Sequence, residues 1–360
     1  MDKIKLSNFE AISSILIITI SHSILTLPKT IISSTGAASI LNIIYVSFIA
    51  FVVVLLISKL LKKFPGLDII DISELLGGKV LKVVVGVMFL IYITFISSVL
   101  LRTFANCLQI VYYPMTDLIF IISLFIIGVA IACHFNFDSV FRSNTLIIPI
   151  VILSIIFLFI ANTKHFNFSN IFPIFGSGID ATFITGASNI FAFGGIAFLY
   201  LLPSKLKNSN QFKKLSIISI AISSVYLLLT IASILFMFNP MSFTNELLPL
   251  YSAVRYIEFG TFFQRLDSVF LLIWILSFCC YLGTAINFSM STFKKITNIK
   301  NSKLIIFPFV LVILACSLVP KDESITIFLE STVYKYAFLI FIIAFCLLLL
   351  FAANLKRRKE

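Results

Sequence analysis

Two clusters of residues that weaken a helix interrupt long apolar runs of this sequence, polar side chains in the first and a glycine pair in the second. Each cluster is followed by a short apolar stretch and then a proline, Pro28 in the first case and Pro203 in the second. Adjacent glycines weaken a helix by about 1 kcal/mol each relative to alanine, so the glycine pair in the second cluster predicts a broken helix. The clusters are Ser21, His22, Ser23 and Ile24 in the first run, and Ala192, Phe193, Gly194 and Gly195 in the second.

A broken helix exposes backbone groups that bind charged ligands. Free N–H groups at the start of a half-helix favour a carboxylate, and free carbonyls at the end of the other half favour an ammonium group. Together the two clusters predict a binding site for a zwitterionic amino acid. The alternative is that the serines make intrahelical bonds and that Gly194-Gly195 is a tight packing contact.

His22 and four charged residues are further candidates. His22 is expected to be a buried neutral side chain bonded to a carbonyl, or else a proton-coupling or substrate ligand. Arg102, within an apolar run, either snorkels outward or pairs with Asp180, Glu258 or Asp267 in an outer vestibule. The gating charges predicted from the sequence are Glu10, Arg102, Arg265 and Asp267. Glu10 has interfacial anchoring as an equal alternative, and Asp267 also suits a helix N-terminus.

The elements that carry these residues are transmembrane helices. Of the 360 residues, 60% are hydrophobic and only 12% charged, against about a quarter charged in soluble domains. A span needs about 20 apolar residues, so the chain is predicted to be a single transmembrane domain, 1–360. This composition excludes a soluble enzyme, a disordered chain and a nucleic-acid-binding protein.

The fold class predicted is an all-α polytopic membrane protein with ten spans. The clusters fall in spans one and six, and matched breaks of this kind are typical of inverted-repeat transporters with discontinuous helices. We therefore expect a 5+5 inverted repeat, about 9–161 and about 180–354. The predicted spans are about 9–33, 38–61, 80–111, 116–133, 144–161, 180–202, 215–238, 262–293, 304–320 and 330–354.

The net charge of +12 indicates topology. Lys and Arg concentrate in one set of loops, which the positive-inside rule assigns to the cytoplasm, with both termini inside. In one such loop, 64–78, Asp68 is expected to cap a short amphipathic helix that Gly77-Gly78 ends. That helix either lies at the membrane surface, or forms part of an inner gate or a docking surface. The outer loop, about 239–261, is long enough to form a lid.

No cofactor, metal or catalytic motif is expected. The six cysteines lie in or beside apolar runs, without a C-x-x-C pair, and the three histidines have no ligand spacing. The motifs H-E-x-x-H and G-x-S-x-G are absent from the sequence, which argues against a membrane-embedded enzyme.

Several segments resemble the spore germination permease family, the B subunits of Ger-type nutrient receptors in endospore-forming bacteria. They are the first-span break ending in Leu27-Pro28, the loop 64–77, and the stretch 255–274 with Arg265-Leu266-Asp267 and Trp274. The resemblance implies membership of the amino acid–polyamine–organocation superfamily and a LeuT-like fold. Many relatives carry glycines at the first break, where this chain has Ser21, His22 and Ser23.

The function that the resemblance implies is a receptor role. The subunit would bind a nutrient, often an amino acid, in the inner membrane of the spore, and act with A and C subunits. Membrane lipid is a further expected partner, and nucleic acid is not. An active amino acid/cation symporter of the same superfamily is the alternative, since both would use the same site and differ in whether the substrate crosses.

Overall fold

The computed structural model describes residues 5–135, 137–240, 248–257, 266–299 and 303–359. This part of the chain is helical and contains no β-strand; one isolated bridge pairs Leu6 with Leu206. The α-helices are α1 (Asn8–Ser23), α2 (Leu27–Thr35), α3 (Ser39–Leu61), α4 (Ile69–Val111), α5 (Leu118–Phe135), α6 (Phe137–Ala161), α7 (Gly195–Leu199), α8 (Phe212–Met237), α9 (Pro249–Arg255), α10 (Leu266–Thr297), α11 (Lys303–Leu318), α12 (Glu323–Phe328) and α13 (Lys335–Lys359).

Within the described residues, six helical stretches are long and apolar enough to cross a membrane, and two more are apolar but shorter. Large apolar side chains also cover the outside of the bundle; Phe48, Leu124 and Ile91 are each at least 65% exposed. A protein in water would bury such groups, whereas lipid accepts them. These observations confirm an all-helical, multi-pass membrane protein. The ten-span inverted repeat remains a prediction.

Both predicted breaks correspond to interruptions of regular α-helix. α1 ends at Ser23, and α2 begins at Leu27 with Pro28 in its first turn, where a missing N–H has no cost. The second broken region changes helix type along its length. A π-helix (Asp180–Ile184) leads into a 3₁₀-helix (Thr185–Phe193) and then into α7.

The loop 64–78 folds as the sequence predicts. Asp68 caps the N-terminus of α4 by accepting hydrogen bonds from the amides of Ile70 and Asp71, each at 3.1 Å. At Gly77-Gly78 the backbone leaves helical geometry, with φ of +64° at Gly78, which glycine adopts without strain. The short helix therefore ends there, and the long transmembrane part of α4 follows.

An ion cluster ties the end of the bundle that is predicted to face the cytoplasm, here called the inner end. Lys295 Nζ, near the end of α10, lies 2.5 Å from Asp68 Oδ2 and 2.6 Å from Asp71 Oδ2. Ser204 donates a hydrogen bond to Asp68. Burial raises the pKa of Asp68, although Lys295 opposes the shift. Burial and the neighbouring Lys295 lower the pKa of Lys205 to about 8.

Candidate functional site

The two breaks meet in the middle of the bundle. The Gly195 amide donates a hydrogen bond of 3.3 Å to Thr19 Oγ1 on α1, and the Phe191 ring lies 5.6 Å from the His22 ring, centroid to centroid. The residues predicted to bind substrate all lie buried here: Ser21, His22, Ser23, Ile24, Ala192, Phe193, Gly194 and Gly195. Burial and contact between the breaks are consistent with a site there, and whether it binds ligand remains a prediction.

The glycine pair allows close packing of backbone. A Cβ added at Gly195 would lie 2.5 Å from Thr19 Oγ1 and 2.8 Å from the Ile15 carbonyl oxygen. A Cβ at Gly194 would lie 2.7 Å from Tyr334 Oη. All three distances are shorter than van der Waals contact allows, so a side chain at either position would force its neighbours to move.

Each serine beside His22 has a hydrogen bond in this arrangement. Ser21 Oγ lies 3.0 Å from Ser277 Oγ on α10. Ser23 donates a 2.6 Å bond to the Ile20 carbonyl of its own helix, the intrahelical alternative foreseen for a serine at this position. Ser21 therefore links the first break to α10 through its side chain.

His22 is bonded to a carboxylate and not to the backbone carbonyl expected from the sequence. Its Nε2 atom lies 2.9 Å from Glu330 Oε1, and the two side chains are only 3% and 2% exposed. Thr26 and Thr103 also donate hydrogen bonds to Glu330. Buried charges persist where several groups stabilise them, and here the donors come from three segments of the chain.

Glu330 was not among the site residues predicted from the sequence. The residue sits at the start of the tenth apolar run, where it looks like an interfacial residue. The structure places it in a π-helical turn, Leu329–Tyr334, between α12 and α13. π-Helical turns are rare in proteins, and those that occur are often found at functional sites. One signal in the sequence could have identified it: Glu330 has apolar residues on both sides. Ile325, Ile327 and Phe328 precede it, and the tenth apolar run follows it.

The three predicted gating charges that lie among the described residues, Glu10, Arg102 and Asp267, do not converge. Glu10 forms a capping box with Ser7 at the start of α1, its Oε2 atom accepting from the Ser7 amide at 2.8 Å. Asp267 lies in the first turn of α10 and accepts a 3.2 Å bond from Tyr251. Arg102 is 7% exposed. Arg265 lies outside the described residues, and so does Glu258, one of the proposed partners of Arg102.

Arg102 interacts electrostatically with an acidic residue that was not among the three proposed partners, and its pairing with Glu258 stays a prediction. The nearby charge is Asp322, at the N-terminus of α12, and not Asp180 or Asp267. Within the part of the chain that the structure describes, Arg102 Nε has no hydrogen-bond partner.

The described residues contain no group of three or more His, Cys, Asp or Glu side chains placed to hold a metal ion. The six cysteines are free thiols. The polar groups that surround Glu330 are hydroxyls and the imidazole of His22.

Broken helices that contact each other in a multi-pass bundle, with an ionisable pair beside the first break, are typical of permease-like membrane proteins. Comparison with known proteins gives the family: the chain belongs to the spore germination proteins, whose family model matches residues 5–326. Spore germination protein B2 of Bacillus subtilis (strain 168) is 21% identical over 327 residues, which are 90% of this chain and 88% of that protein. This is a permease-type germination family and not a family of enzymes. The matched segment ends before Glu330.

Proposed function

We propose that this protein is the permease-like membrane subunit of a nutrient germinant receptor and that its ligand is an amino acid. Membership of the germination family over residues 5–326 is the observation that carries the proposal. The contact between the two broken segments supports it, because unwound backbone inside a membrane is tolerated only where it is buried in protein or lines a cavity.

The ligand site lies near the midplane, between the first and second breaks. Ser21–Ile24 and Ala192–Gly195 line it, with half-helix ends facing the carboxylate and the ammonium group of the ligand. All eight residues are buried in this structure, so ligand entry requires the helices to separate. Ligand binding would then shift the balance between a closed and an open arrangement, and this shift is the signal.

Partner subunits receive that signal. The A and C subunits of a germinant receptor are the proposed partners, with membrane lipid around the apolar surface of the bundle. The proposed location is the inner membrane of the spore, with both termini in the cytoplasm. The inner-end ion cluster of Lys295, Asp68 and Asp71 holds the cytoplasmic side closed in the proposed resting state.

One observation favours a second function, amino acid transport coupled to a cation. His22 and Glu330 form a buried pair of ionisable groups at a break. Ionisable residues inside a membrane often mark ion or proton pathways. In a symporter this pair would exchange a proton as the substrate crosses, whereas in a sensor it would stabilise one arrangement of the helices.

Uptake and binding measured together separate the two functions. The full chain in proteoliposomes is given a panel of radiolabelled amino acids, with and without proton and sodium gradients, while binding is measured on the same preparation. The sensor predicts saturable binding without accumulation. Gradient-driven accumulation would establish the symporter instead.

Gly194→Leu tests the site. We expect it to abolish amino acid binding, because the new side chain enters the space between the breaks and meets Tyr334. Gly128→Leu is the matched control, since a Cβ there has nothing within 4 Å. Unchanged affinity in a folded, inserted Gly194→Leu protein would show that the ligand binds elsewhere.

A further inference from the structure

A small cavity lies beside the first break, between α2, α4 and α12. Its volume is about 20 Å³, which is the space that one water-sized group occupies. Thr26, Thr103, Asn106 and Glu323 supply its polar lining, and Ile110 and Leu248 belong to its apolar part. Glu323 and Ile110 are exposed, so the cavity reaches the surface at the end of the bundle that is predicted to face away from the cytoplasm.

Glu330 determines whether the two threonines that line this cavity can act as donors or only as acceptors. Thr103 donates its hydroxyl proton to Glu330 Oε2 at 2.9 Å, and Thr26 donates its own to Glu330 Oε1. A hydroxyl has one proton and two lone pairs. Because both protons are directed to Glu330, the two threonine oxygens can offer only lone pairs to a group in the cavity.

Asn106 adds an unused polar group to the lining. It is 7% exposed, and its side chain makes no hydrogen bond within the described part of the chain. A ligand in the cavity would supply the hydrogen bond that this amide lacks. Its amide oxygen supplies a third acceptor, next to the two threonines.

Two carboxylates give the surroundings of the cavity a negative charge. Glu323 lies at the mouth of the cavity and Glu330 beneath its floor, seven positions apart and thus about two helical turns. Of the two, Glu330 already accepts from His22, Thr26 and Thr103, while Glu323 faces the entrance. A group that enters therefore meets oxygen acceptors and negative potential.

We propose that this cavity binds a primary ammonium group. An ammonium is close to a water molecule in size, carries three N–H donors, and would be matched by the oxygens of Thr26, Thr103 and Asn106. Its carbon stem would leave along Ile110 and Leu248. The site is separate from the helix-break site, and it rests on the proposed function only in taking the ammonium to be that of a nutrient.

Ethylammonium and propionate are the probes, since they have similar carbon chains and opposite charges. Calorimetric titration of the purified full chain in detergent at pH 7 is expected to show saturable binding of ethylammonium and none of propionate. Asn106→Leu and Thr103→Val each remove one acceptor, and each is expected to weaken ethylammonium binding at least about tenfold.

Two further variants separate loss of the site from loss of the fold. Thr292→Val is the matched control, because the Thr292 hydroxyl is buried with no hydrogen-bond partner among the described residues; its ethylammonium affinity should equal that of the parent chain. Asn106→Asp keeps the shape and adds charge, so it should bind ethylammonium at least about threefold more tightly. General damage to the fold would not produce that gain.

Three results would overturn the proposal. The first is that the parent chain does not bind ethylammonium, and the second is that Asn106→Leu and Thr103→Val bind it with the affinity of the parent chain. The third is that sodium chloride displaces ethylammonium and choline chloride does not, which would assign the cavity to a metal ion. Ethylammonium affinity that Asn106→Leu leaves unchanged, in a chain whose amino acid binding Gly194→Leu abolishes, would refute this cavity alone. Ethylammonium binding that depends on Asn106, without binding of any amino acid, would refute the proposed receptor function alone.

Discussion

At the scale of single residues, Glu330 links more of the bundle centre than any predicted site residue does. It accepts hydrogen bonds from His22, Thr26 and Thr103, so one carboxylate connects both sides of the first break to α4. In lipid surroundings there is no water to replace a lost partner. The geometry of the first break therefore depends on a residue more than 300 positions away.

Removing one partner of this pair should destabilise the protein. Glu330→Gln leaves the imidazole of His22 in a changed buried environment, and breaking a buried pair typically costs about 3–5 kcal/mol. We expect both Glu330→Gln and His22→Asn to lower the midpoint of thermal unfolding in detergent. The double variant should be less destabilised than the sum of the two. Strict additivity would mean that the two side chains do not stabilise each other.

At the scale of elements, the two broken segments differ in cause. The first breaks where a polar cluster precedes Pro28, which suits the first turn of α2. The second breaks because helix type changes from π to 3₁₀ to α within a stretch whose glycines contact neighbouring helices. Local sequence sets the position of the first break, whereas packing against α1 and Tyr334 also sets the position of the second.

Gly195→Ala is expected to destabilise the bundle. The added methyl group would lie 2.8 Å from the Ile15 carbonyl, and backbone cannot move aside as a flexible side chain can. Overpacking of this kind typically costs about 1–3 kcal/mol. Gly128→Ala, in α5, is the matched control and should be neutral or slightly stabilising, since alanine favours helix. Equal unfolding midpoints in detergent for the two variants would contradict the close approach of α1 and α7.

At the scale of the whole molecule, the charge distribution and the apolar surface set how the chain sits in a bilayer. The basic residues favour one side by the positive-inside rule, and the inner-end ion cluster lies on that same side. The inverted repeat, 9–161 and 180–354, would relate the two broken segments by a pseudo-two-fold axis in the membrane plane.

Reporter fusions test the predicted topology. Green fluorescent protein at the C-terminus should fluoresce, while alkaline phosphatase at the same position should be inactive, because both termini are predicted to be cytoplasmic. Phosphatase fused after Lys164 should be active, and phosphatase fused after Lys207, the matched inner position, should not. Active phosphatase at Lys207 would show that the chain has the opposite orientation, and that the ammonium cavity opens toward the cytoplasm.

The amino-acid sequence by itself determined the membrane class, the positions of both breaks and the cap at Asp68. These depend on composition, on local backbone preference and on hydrogen bonds between near neighbours, all of which are encoded within a few residues. The family resemblance was also carried by short segments, and the comparison with known proteins confirmed it.

Only the tertiary structure decided what surrounds the breaks. The partner of His22, the contact of Gly195 with Thr19, and the cavity beside Thr26 and Thr103 each join segments far apart in the chain. No local pattern encodes such contacts, because they depend on how long helices cross in three dimensions. Glu330 is the clearest case, since its position in a π-turn among three hydrogen-bond donors became visible only when those segments were brought together.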